Sequence, residues 1–480
     1  MKDLKKESGT KRKTASTGKS YVFVSYLFVG LFLVMIVYMA YFQVVKSKEL
    51  LNSPYNTRQE AKAEYTVKGS LLSRAGEVLA ETQTDEEGNE YRVYPYGNYF
   101  AQVVGYSDYG SSGLEATQNY LLMESHENIL DQFEKDINEQ KKYGDNVVTT
   151  LDTDYQVIAY NALAGRKGSV IILDADTADV LACVSQPDFN PTTVSEDWEV
   201  LNLEESGSPF LNRALQGLYE PGSTFKIVTA LAFIRDNPDY QNFTFECTGE
   251  YTAGSYTIHC NNGAVHGTQT LADAFANSCN CAFAYIATQC LEETTLNETA
   301  NSLKFNTDFS IGLPSAISSF KLEKTSSDGL TMQTAIGQGE TVASPMMMAM
   351  IAQAIYNDGK MLQPSFVDKV VSHDGTVYST ENTVTVGQVM TSSEAQVLKN
   401  MMKCVAMYGT GAILSDLTCD PAGKTGTAEY GDGTYCHSWF TGFSNSGSSD
   451  IVVCVMIEEA EQGTSPAVET AYNIFAQIKG

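Results

Sequence analysis

A stretch of 25 residues without a charge, Tyr21–Val45 (YVFVSYLFVGLFLVMIVYMAYFQVV), constrains this chain more than any other feature. A helix of about 20 apolar residues spans a bilayer. The run is too long for the core of a signal peptide, and no small-x-small cleavage site follows it. An uncleaved, single-pass anchor over residues 21–45 is therefore expected, with aromatic residues at both interfaces. Charge orients it. Residues 1–20 carry seven basic and two acidic residues, a net of +5, whereas the whole chain carries −27. The positive-inside rule puts residues 1–20 in the cytoplasm and everything after Val45 outside the cell membrane. The acidic body excludes nucleic-acid binding, which needs clustered Lys and Arg.

Composition shifts divide the remainder. Residues 46–145 read as a small mixed pedestal, with a strand-like Tyr91–Tyr94 and a polar helix-like run from about Glu115 to Lys142. Roughly 100 residues is small for a second enzyme domain. From Asn146 to the C-terminus the pattern predicts one α+β domain. A helix over Tyr155–Ala164 precedes a hairpin over Ser169–Ser185 that turns at Asp176–Thr177. GKTGTAEY, HSWFTGF and DIVVCVMIE predict three successive strands near the end, followed by a final helix. One sheet then joins the start and end of the segment.

All ten cysteines lie at Cys183 or later, on the side expected to be exported. Export permits disulfides. Cys247 and Cys260 flank a turn-rich stretch and form the first candidate bridge; Cys419 and Cys436 form the second. No Cys-x-x-Cys occurs and the five histidines are scattered, so no metal site is expected.

Chemistry concentrates at Ser223, in YEPGSTFK. Pro221–Gly222 marks a helix start, where free N–H groups and the positive dipole end favour negative charge. Lys226 lies three residues on, so a helix puts both side chains on one face. An unprotonated lysine there can take the hydroxyl proton. Alone the pair is ordinary: Ser-x-x-Lys also begins at Ser8, Ser16 and Ser318, and Ser223 would serve equally as a helix cap. Two further elements follow in order. Ser278-Cys279-Asn280 is the chain's single Ser-x-Asn, and Lys424-Thr425-Gly426-Thr427 holds its single Lys-Thr-Gly. This ordered set is a recognised signature of penicillin-binding proteins and class A β-lactamases. Ser278 can relay a proton, Asn280 can orient Lys226 and a substrate amide, and Lys424 can supply positive charge. Thr425 and Thr427 can hold a carboxylate, and Gly426 lets a backbone lie close. Backbone N–H groups of Ser223 and Thr427 suit an oxyanion hole.

The chain resembles the class B penicillin-binding proteins, monofunctional peptidoglycan transpeptidases. IGQGETVASPMMMA (336–349), MYGTGA (407–412) and HSWFTGF (437–443) carry the likeness through the catalytic region. SPYNTRQEAKAEYTVKGSLLSRAGEVLA (53–80), RVYP (92–95) and GLE (113–115) are most like the short penicillin-binding protein A group of Gram-positive bacteria. Where the family pedestal motif opens Arg-Gly and carries Asp-Arg, this chain has Lys68-Gly69 and Ser73-Arg74. The resemblance implies a penicillin-binding transpeptidase fold of the serine β-lactamase type, with a central antiparallel sheet, an all-helical part and a pedestal of the dimerisation type. It implies a serine acyl-enzyme formed on D-Ala-D-Ala stem peptides, an amine acceptor, acylation by β-lactams, no cofactor, and work in cell-wall synthesis during growth or division. It also implies a pedestal that docks a membrane-embedded, SEDS-type glycosyltransferase; a D,D-carboxypeptidase, or a largely scaffolding partner of a lipid II polymerase, are the alternatives.

Overall fold

The computed structural model describes residues 17–43, 62–292, 294–430, 434–447 and 449–477. The chain divides into two units, residues 1–61 and 62–480. In the first, Thr17–Tyr41 (α1) is a helix of 25 residues whose described side chains are all exposed. It is long and apolar enough to cross a membrane. The expected tail before Thr17, and residues 44–61, lie outside the described residues.

Near the start of the second unit lie the short strands Leu71–Leu72 (β1), Val78–Thr84 (β2) and Glu90–Val93 (β3), then Asn146–Thr149 (β4). Two late strands, Val377–Thr380 and Val367–Val371, complete a six-stranded sheet in the order Val377–Thr380, Val367–Val371, β4, β1, β2, β3. This sheet threads strands from both sides of the 145/146 position where the composition shifts. Beneath it Glu115 is fully buried between two cations: Lys68 Nζ at 2.6 Å and Arg92 Nε at 2.7 Å. Lys68 thus makes a buried ion pair despite replacing the family arginine. The polar run expected as one helix is broken into Gly113–Thr117, Asn119–Leu122 and Ile129–Ile137. The break has a local cause. Buried Asp145 accepts from His126 N at 2.9 Å, and the Asn128 side chain caps the last helix by accepting from Leu130 N.

After Thr153–Leu163 (α2) come Gly168–Asp174 (β5) and Val180–Gln186 (β6), the expected hairpin. Lys226–Asp236 (α3) follows, buried from Lys226 to Phe233. Four short strands, Thr244–Cys247 (β7), Glu250–Ala253 (β8), Tyr256–His259 (β9) and Gly267–Thr270 (β10), form two antiparallel pairs, β7 with β10 and β8 with β9. They lead towards Asn280–Tyr285 (α4), and the helix Pro345–Tyr356 (α5) comes later. Ala422–Tyr430 (β11), Tyr435–Phe443 (β12) and Ile451–Glu461 (β13) are the three expected strands, and Pro466–Phe475 (α6) is the final helix.

The catalytic sheet is antiparallel, in the order β11, β12, β13, β5, β6. β5, β6 and β13 read as near-continuous apolar runs because both faces are covered. Side chains still alternate. Val170, Ile172, Val453 and Val455 enter one core with α2 and α6. Ile171, Leu173, Val452 and Cys454 enter the other with Met348, Ile351 and Ile355 of α5. Each such side chain contributes about 1.5–3 kcal/mol on burial. β11 is one of the two edge strands, and that edge carries the Lys424 motif.

Candidate active site

The nucleophile turn is set by backbone. Gly222 has φ +52, and a Cβ there would lie 2.4 Å from the Thr427 carbonyl oxygen. Only glycine takes this conformation and this approach without strain. Residues Gly222–Phe225 form a 3-10 turn that runs into α3, so Ser223 sits just ahead of the α-helix start. Across the gap, β11 packs directly on this turn. A Cβ on Gly426 would meet Thr224 Cγ2 at 2.9 Å and the Pro221 oxygen at 3.0 Å. The glycine therefore lets strand and nucleophile turn close on each other, a different use from the substrate approach expected from sequence. Trp439 of β12 locks the same turn by donating Nε1–H to the Glu220 carbonyl at 3.0 Å.

The third element is the loop ahead of α4. Ser278 has φ +55, rare for a residue with a side chain, and Cys279 caps α4 by accepting from Ala282 N at 3.4 Å. Asn280 donates Nδ2–H to the His259 carbonyl at 3.0 Å, which fixes its amide orientation and turns Oδ1 inward.

These elements meet at two fully buried amines. Lys226 Nζ lies 2.7 Å from the Ser278 carbonyl oxygen, 2.7 Å from Asn280 Oδ1, 2.9 Å from Ser223 Oγ and 3.1 Å from Ser278 Oγ. Lys424 Nζ donates to Ser278 Oγ at 3.0 Å and to the Thr425 carbonyl at 2.9 Å. The carbonyl and the amide oxygen can only accept, so they engage two N–H bonds of Lys226. A neutral amine then has its lone pair left for the Ser223 hydroxyl. Burial lowers the Lys226 pKa to about 8, opposed by the nearby thiols of Cys279, Cys260 and Cys281. Lys424 is also lowered, by burial first and then by Lys226. Two ammoniums on one hydroxyl repel, so the pair favours a single proton.

Ser223, Lys226, Ser278, Asn280 and Lys424, spread over some 200 residues of sequence, thus form one hydrogen-bonded chain. Thr427 is exposed at its edge, and Thr425 Oγ1 meets Thr410 Oγ1 at 2.5 Å. Sequence reasoning missed Thr410, although MYGTGA had marked its segment. It also missed the support behind the turn, where Glu458 accepts from Arg213 Nε at 2.8 Å and from Tyr219 OH at 2.7 Å. Ser318, which begins a rival Ser-x-x-Lys, is buried and accepts from Ser344 N at 3.0 Å.

The cysteines are all thiols. Cys247 and Cys260 touch at 3.6 Å between sulfurs without bonding. Cys436 lies against the Ala460 carbonyl at 3.5 Å. Spacing argued against a metal cluster, yet the fold gathers three thiols and an imidazole in one place. Cys247, Cys260, His266 and Cys279 place their donor atoms within 4.8 Å of one another. Strand pairing gathers side chains that no short motif links.

The penicillin binding protein transpeptidase domain matches residues 168–478, and the penicillin binding protein A dimerisation domain matches residues 68–147. The peptidoglycan D,D-transpeptidase PbpA of Mycolicibacterium smegmatis is 29% identical over 82% of this chain and 85% of its own length. The D,D-transpeptidase domain of a peptidoglycan glycosyltransferase from Eggerthella lenta superposes with a TM-score of 0.76, at 30% identity, covering 85% of this chain and 97% of that one. Penicillin-binding protein A from M. tuberculosis, as an imipenem acyl-enzyme, shares the fold with a TM-score of 0.77 at 23% identity, covering 86% and 98%. With the transpeptidase domain matched over more than half its length, this chain belongs to the penicillin-binding protein transpeptidases, in the class B group that carries a penicillin-binding protein A dimerisation domain.

Proposed function

We propose that this protein is a membrane-anchored serine D,D-transpeptidase that crosslinks peptidoglycan stem peptides. The contact that carries the reading is Lys226 Nζ at 2.9 Å from Ser223 Oγ, with Asn280 and Ser278 engaging its N–H bonds. Lys226 takes the hydroxyl proton as Ser223 Oγ attacks the carbonyl carbon of the D-Ala-D-Ala amide. The oxyanion is held by the N–H groups of Ser223 and Thr427. Ser278 Oγ, shared between Lys226 and Lys424, passes the proton to the departing D-Ala amine. An acceptor amine then attacks the ester and releases Ser223. Thr425 and Thr427 hold the donor carboxylate beside Lys424. β-Lactams follow the first half and stop at the ester. The N-terminus lies in the cytoplasm, with residues 46–145 as pedestal and 146–480 as catalytic domain outside.

A pedestal without chemistry suits docking to a SEDS-type glycosyltransferase that polymerises the strands. The pedestal helix Ile129–Ile137 supports this. Its Ile129, Leu130, Phe133 and Ile137 are 64–81% exposed and have no covering element among the described residues. Incubating the detergent-solubilised protein with nascent glycan strands bearing stem pentapeptides tests the reaction. Crosslinked muropeptides are expected. Release of D-Ala with tetrapeptides alone would identify a carboxypeptidase instead.

A further inference from the structure

Three thiols and an imidazole converge from four separate points of the chain. Cys247 ends β7, Cys260 follows β9, His266 precedes β10, and Cys279 is the middle residue of the Ser278–Asn280 motif. The sulfurs of Cys247 and Cys260 are 3.6 Å apart, as are those of Cys260 and Cys279. His266 Nδ1 lies 3.4 Å from Cys247 Sγ. Zinc binds sulfur at about 2.3 Å and nitrogen at about 2.0–2.1 Å, so a tetrahedral site has edges of about 3.6–3.8 Å. Three of the six donor–donor edges fall within 0.2 Å of that range, and all six lie within 4.8 Å. A disulfide would leave two of the four donors unused and needs sulfurs at about 2.05 Å.

We propose that Cys247, Cys260, His266 and Cys279 bind one zinc ion as a closed structural site that fixes the Ser278–Asn280 loop. The donor set selects the metal: thiolates and imidazole suit zinc, whereas magnesium and calcium take oxygen. Binding releases the thiol protons, and four protein ligands leave no open position for a catalytic water. The three thiols are buried while His266 is half-buried at the surface. Cys281 Sγ, 3.4 Å from Cys260 Sγ, stands beside the four as a neighbouring thiol.

The site has a mechanical role in this fold. Strands β7–β10 form two isolated pairs, and two-stranded sheets are marginal on their own. A metal joins both pairs to Cys279. From there the path to the nucleophile is short. Asn280 binds the His259 carbonyl, next to Cys260, and its Oδ1 holds Lys226. Ser278, on the other side of Cys279, is held at φ +55. The four ligands are positioning residues; none touches Ser223.

Elemental analysis of the detergent-solubilised full chain, purified without chelator, is the test. Zinc is expected near one equivalent, and Cys247→Ser and His266→Ala should each lower it by at least about tenfold. Cys454→Ala, in the core of β13, should keep it. Chelator-stripped wild-type protein gives a second readout that needs no variant. Added cobalt should produce thiolate-to-cobalt charge transfer and the visible bands of a tetrahedral ion. Stripped protein should also acylate more slowly with a fluorescent penicillin and recover on adding zinc. Ser223→Ala should retain zinc while losing the label, which separates this site from the catalytic assignment. Zinc-free protein that takes up no metal with its thiols reduced, or a mapped Cys247–Cys260 disulfide, would overturn the proposal. So would zinc content unchanged in both ligand variants. Unaltered acylation by the stripped protein would overturn the positioning role.

Discussion

Lys226 and Lys424 meet on a single oxygen: both amines lie within hydrogen-bond distance of Ser278 Oγ, at 3.1 and 3.0 Å. They differ in what else they touch. Lys226 reaches Ser223, whereas Lys424, among the described residues, bonds its own strand and Ser278. Lys226→Arg should therefore fail as a base despite keeping the charge, since arginine is not deprotonated in proteins. Acylation by a fluorescent penicillin should slow by roughly 10²-fold to 10⁴-fold. Lys424→Arg should be milder. Near-normal acylation by Lys226→Arg would remove lysine from the base role.

The pH profile follows from the same amine. Burial first, and the opposing thiols second, leave Lys226 at about 8. The reactive form is the neutral amine, so the acylation rate rises with pH through that value and levels above it. Two units below the pKa it should be about 100-fold under the plateau. Stopped-flow acylation between pH 6 and 9.5 measures it. A flat profile across that range would show that Lys226 does not change protonation there and would contradict this pKa.

Gly426→Ala tests how the cleft is built. The new methyl would press on Thr224 Cγ2 and the Pro221 oxygen, separating β11 from the nucleophile turn. Penicillin labelling should fall sharply while the fold persists, because β11 keeps its pairing to β12. Retained labelling in a folded variant would show that this contact does not position the site.

In the pedestal, Glu115→Ala leaves Lys68 and Arg92 buried without their counter-ion. Removing one partner of a buried ionic cluster costs about 3–5 kcal/mol. A clear drop in the thermal midpoint of the solubilised protein is expected, and an unchanged midpoint would show that the cations find other partners.

Docking is tested on the exposed helix. Leu130→Glu with Phe133→Glu should abolish co-purification with the proposed SEDS-type glycosyltransferase and leave penicillin labelling intact. Undiminished co-purification would place the docking surface elsewhere.

Much of this organisation was legible from residue types alone. Gly222, Ser223 and Lys226 are local, and their meaning depends on one turn of helix. The strands β5, β6 and β13 announced themselves because apolar runs bounded by turn residues leave little choice. Ser278, Asn280 and Lys424 could be listed as partners only through their order; their meeting depends on β11 packing on the Pro221–Thr224 turn. The convergence of Cys247, Cys260, His266 and Cys279 stayed hidden for a related reason. Cys247 and His266 come together because β7 pairs with β10, with Gly267 opposite Cys247, and no sequence spacing encodes that register. The pedestal run from Glu115 to Lys142 misled because its polar periodicity continues past a break imposed by Asp145, which lies beyond the run itself.

The assignment of Ser223 is tested most directly by treating the solubilised protein with penicillin, digesting it, and locating the adduct by tandem mass spectrometry. The predicted result is a single penicilloyl ester on Ser223, absent from Ser223→Ala. An ester on Ser278 or Ser318, or full labelling of the Ser223→Ala protein, would contradict it.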